Sequence, residues 1–262
     1  MLGFRVLVVP LLLCIAGVAS ASIFGTDDRL VVGHARGTPF APIGVAYDPE
    51  SDTYGTGILV DECHVLTAQH VAGDREVDPA GDRFDFLVGQ QQGNEFEDRT
   101  GASVIASGGF TERRWNRDAD WLLLKLDQCL GRQYGHVRLR EETPDARPST
   151  LQSAGYPSDL ANIRGLLVMD PHCRLVGEAE RLWLHTCAGR SGDSGGPLFE
   201  LERKPSGVEI DVYAIQAAAF PSHVPQEPDG RQFDPDRPFT GLNEAVPVSN
   251  ILPKIRKYLQ LG

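Results

Sequence analysis

Much of this chain is written in a period of two. Val208, Ile210, Val212 and Ala214 alternate with Glu209, Asp211 and Tyr213, which puts one set on a buried sheet face and the other towards solvent. Phe84, Phe86 and Val88 alternate in the same way. Residues 56–60 and 64–67 are β-like runs on either side of a turn signal at Asp61-Glu62. Trp121, Leu122, Leu123 and Leu124 form an unbroken apolar run, the pattern of a strand buried on both faces. Further short runs lie at 166–169 and 182–184. With 28 Gly and 18 Pro in 262 residues, turn formers are frequent enough to punctuate many short strands but too few for low-complexity disorder. No period of 20–50 residues repeats, which excludes solenoids and propellers. The expected class is all-β.

Helical spacing is convincing only at the C-terminus. Val248, Ile251, Leu252, Ile255, Tyr258 and Leu259 follow the i, i+3, i+4, i+7 rule. Ser249 or Asn250 is placed to cap this helix, with Pro253 in its first turn. A polar stretch at 140–148 reads as a linker, and the Pro- and Asp-rich stretch 221–238 as a long surface loop. The expected organisation is therefore two β-rich halves, 22–140 and 141–248, followed by a helix over 249–262.

Residues 1–21 read as a secretory signal. Arg5 gives the positive start, 6–18 the apolar region, and Ala19-Ser20-Ala21 the small-residue cleavage site. Thirteen apolar residues are too few to span a bilayer. The predicted localisation is secreted or periplasmic, with no stable membrane association. Removal of the signal discards Cys14 and leaves Cys63, Cys129, Cys173 and Cys187. An even count in an exported chain predicts disulfides. Three pairings are open, and the spacing suggests one bridge in each half. No C-x-x-C or H-x-x-x-H cluster supports zinc, and no metal or cofactor is expected. Asp74, Glu76, Asp78, Asp82 and Asp85 form an acidic stretch, read as a solvated loop against the alternative of a calcium loop. The 25 basic against 36 acidic residues give a net charge of −11. That argues against nucleic acid or an anionic membrane as partner, since both need a basic face.

Gly192-Asp193-Ser194-Gly195-Gly196-Pro197 carries the strongest chemical signal. A serine hydroxyl needs a base to become a nucleophile and donors for the oxyanion it generates. Glycines let this turn bend so that the N–H groups of Gly192 and Ser194 converge on one point. His70 follows the 64–67 run, and Asp120 opens the Trp121 run. The order His70, Asp120, Ser194 is one of several that build a catalytic triad. Asp118 is the rival acid. The remaining histidines, with His185 foremost among them, have no comparable context.

These motifs resemble the chymotrypsin/trypsin-like serine endopeptidases, and within them the secreted bacterial branch that includes glutamyl endopeptidases. The matching pieces are 23–29, 55–60, 65–70, 120–126, 154–157 and the Ser194 loop. The resemblance implies two antiparallel six-stranded β-barrels with the active site between them. It also implies Ser194 as nucleophile, His70 as general base and Asp120 as its orienter. The oxyanion hole would be Gly192 and Ser194, and the partner a protein or peptide substrate met by a monomer. In this family an acid at Asp193 often pairs with a liberated α-amine, and Ile23-Phe24-Gly25 offers such a start. The substrate pocket would involve Ala188, Gly189, Ala217, Ala218 and Ala219. Ala188 stands where trypsin-like enzymes carry an Asp, so a basic P1 residue is not expected. Gln216 stands near the place of a histidine in the glutamyl-specific relatives. A small or medium apolar P1 residue is expected instead. The alternative to an enzyme is a catalytically silent homologue serving as a binding protein.

Overall fold

The computed structural model describes residues 23–259 apart from 25, 34–35, 74, 80, 91–94, 112–113, 143–147, 149–150, 160–165, 206 and 220–241. The expected signal segment, most of the 140–148 linker and the 221–238 loop lie outside the described residues.

Alternation becomes pairing as the sequence predicts. In the first half, Ile43–Asp48, Thr53–Leu59, His64–Thr67, Leu122–Leu126, Phe96–Ser107 and Arg83–Gln90 pair in that spatial order and close into an antiparallel six-stranded barrel. The Trp121 run is buried on both faces. Leu122 and Leu124 fill the barrel with Val65, Phe84 and Phe86. Trp121 and Leu123 turn outwards into a second cluster with Ile43, Tyr156, Phe199, Val246 and Ile251. That second cluster packs the two halves together, so burial of the run stabilises both.

In the second half the strand order is Leu30–Val31, Val168–Cys173, Leu151–Gly155, Pro197–Lys204, Gly207–Ala219, Asn243–Pro247, Leu182–His185 and Leu175–Ala179. Among the described residues this sheet is not closed by hydrogen bonds. Its members Val168–Cys173 and Leu175–Ala179 are joined through Arg174 alone. Counting them as one bent strand gives the six strands the resemblance implies. Thr186 brackets the bend, its N–H donating to the Arg174 carbonyl (3.0 Å) and its hydroxyl accepting from the Arg174 N–H (3.1 Å). Two additions come from the first half of the sequence: Leu30–Val31 pairs with Val168–Met169, and Arg138–Leu139 runs parallel to Asp211–Val212. The first half therefore lends two short strands to the sheet of the second. Disulfides join Cys63 to Cys129 and Cys173 to Cys187.

The terminal helix differs in detail from the sequence reading. It spans Val248–Ile255, and residues 256–259 continue as turns rather than as helix. Pro247 occupies the N-cap position with no side-chain cap. Asn250 does not cap: it lies inside the helix, its Oδ1 accepts from Arg181 Nη2 (3.2 Å), and its amide donates to the carbonyls of Asp118 (3.2 Å) and Arg181 (2.9 Å). Pro253 sits in the second turn, not the first. Val248, Ile251, Leu252 and Ile255 are buried as their spacing predicts.

Candidate active site

His70 and Asp120 come from opposite ends of two paired strands. His64–Thr67 and Leu122–Leu126 are antiparallel neighbours, with Thr67 opposite Leu122. The chain leaving Thr67 therefore starts beside the chain entering Leu122. His70 lies in the 3-10 turn Gln69–Ala72. Asp120 follows the 3-10 turn Arg117–Ala119 with φ −71° and ψ 72°, and Trp121 N–H donates to Ala119 O at 2.8 Å. This inverse γ-turn aims the Asp120 carboxylate at His70. The buried Gln69 side chain accepts from Gly109 N–H at 2.7 Å, tying the two approaches together.

The three predicted side chains meet. His70 Nδ1 is 2.6 Å from Asp120 Oδ2, and His70 Nε2 is 2.6 Å from Ser194 Oγ. His70 N–H also donates to Asp120 Oδ1 at 3.0 Å, so both carboxylate oxygens face one residue. Asp120 is buried, whereas the His70 side chain keeps 29% of its exposure. The acid is thus shielded while the imidazole can reach a substrate. Asp118 is not brought to His70; it pairs with Arg181 at 3.2 Å.

The Ser194 loop needs its glycines. Gly192 and Gly195 have φ of 97° and 83°, in the left-handed region that favours glycine. A Cβ there would also lie 2.2 Å from Tyr156 O and 2.3 Å from Thr56 O, respectively. The N–H groups of Asp193, Gly195 and Gly196 are taken by Arg190 O, Gln216 O and Asp193 O. Those of Gly192 and Ser194, the predicted oxyanion donors, have no acceptor among the described residues.

Asp193 is buried, and its carboxylate accepts from Arg190 N–H at 2.9 Å. Burial pushes its pKa up to about 7, against the lowering effects of that hydrogen bond and of Arg29. A small cavity beside it is lined by Arg29, Gly155, Asp170, Ala188, Asp193 and Gln216. Arg29 is held there between Asp27 and Asp159, each at 2.9 Å.

Of the predicted pocket residues, Ala188, Gly189 and Ala217 are buried near the loop, while the side chains of Ala218 and Ala219 lie outside the described residues. Sequence reasoning missed the groups that hold this wall. Ala188 N–H donates to Asp170 (2.7 Å), Ala188 O accepts from the Gln216 amide (3.5 Å), and Cys187 O accepts from Asn243 (2.7 Å). No local signal marks Asp170 or Asn243, since each acts across strands distant in sequence. His185 is fully buried, with Nδ1 accepting from Cys187 N–H at 3.2 Å; burial pushes its pKa down to about 4. His34 and His223 lie outside the described residues. In the acidic stretch, Asp82 is paired with Arg75 at 2.5 Å and Asp85 with Arg99. Two of its acids thus have arginine partners, and no cluster of three metal-ligating side chains occurs among the described residues. No described helix is long and apolar enough to cross a membrane.

The structure is similar to a solved Glu endopeptidase in complex with MPD, with a TM-score of 0.63 and 16% identity over 90% of this chain and 98% of that one. At this identity the likeness concerns the fold, which is chymotrypsin-like. No curated protein matches the sequence. The trypsin family model, however, matches residues 34–222, a span that holds all three triad positions and most of both halves. The chain belongs to the trypsin family of serine endopeptidases.

Proposed function

We propose that this protein is an exported endopeptidase that cleaves peptide bonds through an acyl-enzyme formed on Ser194. The observation that carries the reading is the pair of 2.6 Å contacts linking Ser194, His70 and Asp120. His70 takes the Ser194 proton as Oγ attacks the scissile carbonyl, then delivers it to the leaving amine. Asp120 holds the imidazole with Nδ1–H towards itself and stabilises the imidazolium. The N–H groups of Gly192 and Ser194 receive the oxyanion. Water then attacks the ester, with His70 again as base.

Export removes residues 1–21. Cleavage there leaves Ile23 close to the new N-terminus. Residues 30–32 are already strapped along 167–169, and Arg29 lines the Asp193 cavity. The liberated amine enters that cavity and neutralises Asp193. The pocket takes a small or medium apolar P1 side chain. This is supported by neutral Ala188 at its wall and by Asp170, whose carboxylate accepts from the N–H groups of His172 and Ala188. Gln216 donates to Ala188 O, so it supplies no histidine-like cation for a glutamate.

A fluorophosphonate probe should label the mature protein and fail to label Ser194→Ala. An unlabelled wild type would mark the silent binding protein instead. A peptide library read by mass spectrometry should then show cleavage after small apolar residues; robust cleavage after Arg or Lys would overturn the pocket assignment.

A further inference from the structure

Ser194 and its oxyanion donors sit on the second half, while His70 sits on the first. Something must fix the loop carrying Ser194 relative to the barrel carrying His70. One residue of the barrel makes three hydrogen bonds to that region. Thr56, fully buried in strand Thr53–Leu59, donates its backbone N–H to Ser194 O at 2.7 Å. Its hydroxyl donates to Gly192 O at 2.8 Å and accepts from Tyr156 N–H at 3.0 Å. Its own carbonyl accepts from the Thr67 hydroxyl at 2.8 Å, three residues before His70. The approach is as close as backbone allows, since a Cβ on neighbouring Gly55 would lie 2.7 Å from Ser194 O.

These bonds bear on peptide orientation. A peptide plane fixed by its carbonyl has its N–H fixed in the opposite direction. Ser191 O accepts from Ser158 N–H at 2.8 Å, which sets the plane that carries Gly192 N–H. Gly192 O is held by the Thr56 hydroxyl, which sets the next plane. Ser194 O is held by the Thr56 N–H. The plane between them, which carries Ser194 N–H, is set by Asp193 O accepting from Gly196 N–H at 2.8 Å, so Thr56 holds the planes on either side of it, and the N–H groups of Gly192 and Ser194 have no acceptor among the described residues.

We infer that Thr56 is a positioning residue for the oxyanion hole, acting from the opposite half of the molecule through its side-chain hydroxyl. The inference rests on the endopeptidase reading above. It does not make Thr56 a catalytic residue, because Thr56 touches the loop and not the substrate.

The test compares Thr56→Val, which keeps shape and loses the hydroxyl, with Thr56→Ser, which keeps the hydroxyl. Thr56→Ala is the second hydroxyl-free variant should Val fail to fold. Turnover is counted per fluorophosphonate-titrated site, so unfolded protein does not enter. Loss of oxyanion alignment should lower kcat by about tenfold or more with KM changed less than twofold. Affinity for a peptide aldehyde, which forms a tetrahedral oxyanion, should fall in parallel, and Thr56→Ser should restore both. A merely structural threonine would lower the melting temperature and leave kcat and aldehyde affinity per active site within twofold; that result would overturn the inference. Absence of labelling in the wild type would instead sink the endopeptidase reading on which it rests.

Discussion

The two halves solve the same packing problem differently. The first closes its six strands entirely by ladder hydrogen bonds and carries His70 and Asp120. The second closes at a covalent corner, Arg174, where one strand bends into the next, and is locked beside that corner by Cys173–Cys187. It carries Ser194, the glycine turn and the buried Asp193. In the proposed mechanism the acid–base pair is thus held in the continuous barrel, where neighbouring strands fix it. The nucleophile is then held in a loop that is bonded to the other half through Thr56 and contains the buried Asp193. Catalysis requires both, which makes the contrast testable.

The largest effects should show that the halves act as one unit. Ser194→Ala and His70→Ala should each lower kcat for a peptide substrate by about 10⁵–10⁶, and the double variant should be little worse. Asp120→Asn should cost about 10⁴. Steady-state hydrolysis at high enzyme concentration, with substrate still in excess, measures all four. Additive losses in the double variant would mean that the two residues do not work on the same proton.

The disulfides sharpen the contrast. Cys63–Cys129 closes a separation of 66 residues and Cys173–Cys187 one of 14. Chain entropy alone makes the longer bridge worth about 4 kcal/mol and the shorter about 3. Paired Cys→Ser variants followed by urea unfolding should reproduce that order. Activity should reverse it. Cys187 adjoins Ala188, and its carbonyl is bonded to Asn243, so losing the shorter bridge should raise KM more. If the Cys63–Cys129 variant is the one with the higher KM, the second half does not depend on its corner lock.

Much of this was legible in the sequence, for physical reasons that also mark where legibility stopped. The period-two runs and the Trp121 run specify their faces because side-chain direction in a strand is fixed by backbone geometry. The triad was legible because its chemistry allows few residue types and its glycines admit no substitute. Thr56 was not, since a threonine in a strand is ordinary and only the loop 136 residues away gives it a role. Ser249 and Asn250 were plausible caps by type, but the helix begins at Val248, ahead of both, and the Asn250 side chain bonds Arg181 and the Asp118 carbonyl instead. The acidic stretch hid one of its arginine partners, because Arg99 reaches Asp85 across paired strands.

Smaller effects concern two buried titrating groups of the second half, whose influences on stability oppose each other. Asp193 is raised to about 7 by burial. Between its unfolded value near 4 and pH 7 the folded chain binds the extra proton, so this group lowers stability as pH rises. His185 is lowered to about 4. Between pH 4 and its unfolded value near 6.5 the unfolded chain binds the extra proton, so this group raises stability as pH rises. In the full-length chain, expressed without export so that residues 1–21 stay in place and with Ser194→Ala to prevent self-digestion, the two slopes offset across pH 4–6.5. Single variants should expose them. Adding Asp193→Asn should leave a stability that climbs with pH and exceeds its parent at pH 8. Adding His185→Gln keeps an acceptor for Cys187 N–H and should leave a stability that declines from pH 4 to 7. Each single change is expected to tilt the curve by a few kcal/mol at most. Chemical unfolding at half-unit pH steps measures the slopes. Two variants that tilt in the same direction would show that burial does not govern these groups as described. On the proposed processing an amine is added beside Asp193, so the mature form should lose the Asp193 slope and keep that of His185, which separates the two contributions without any further substitution.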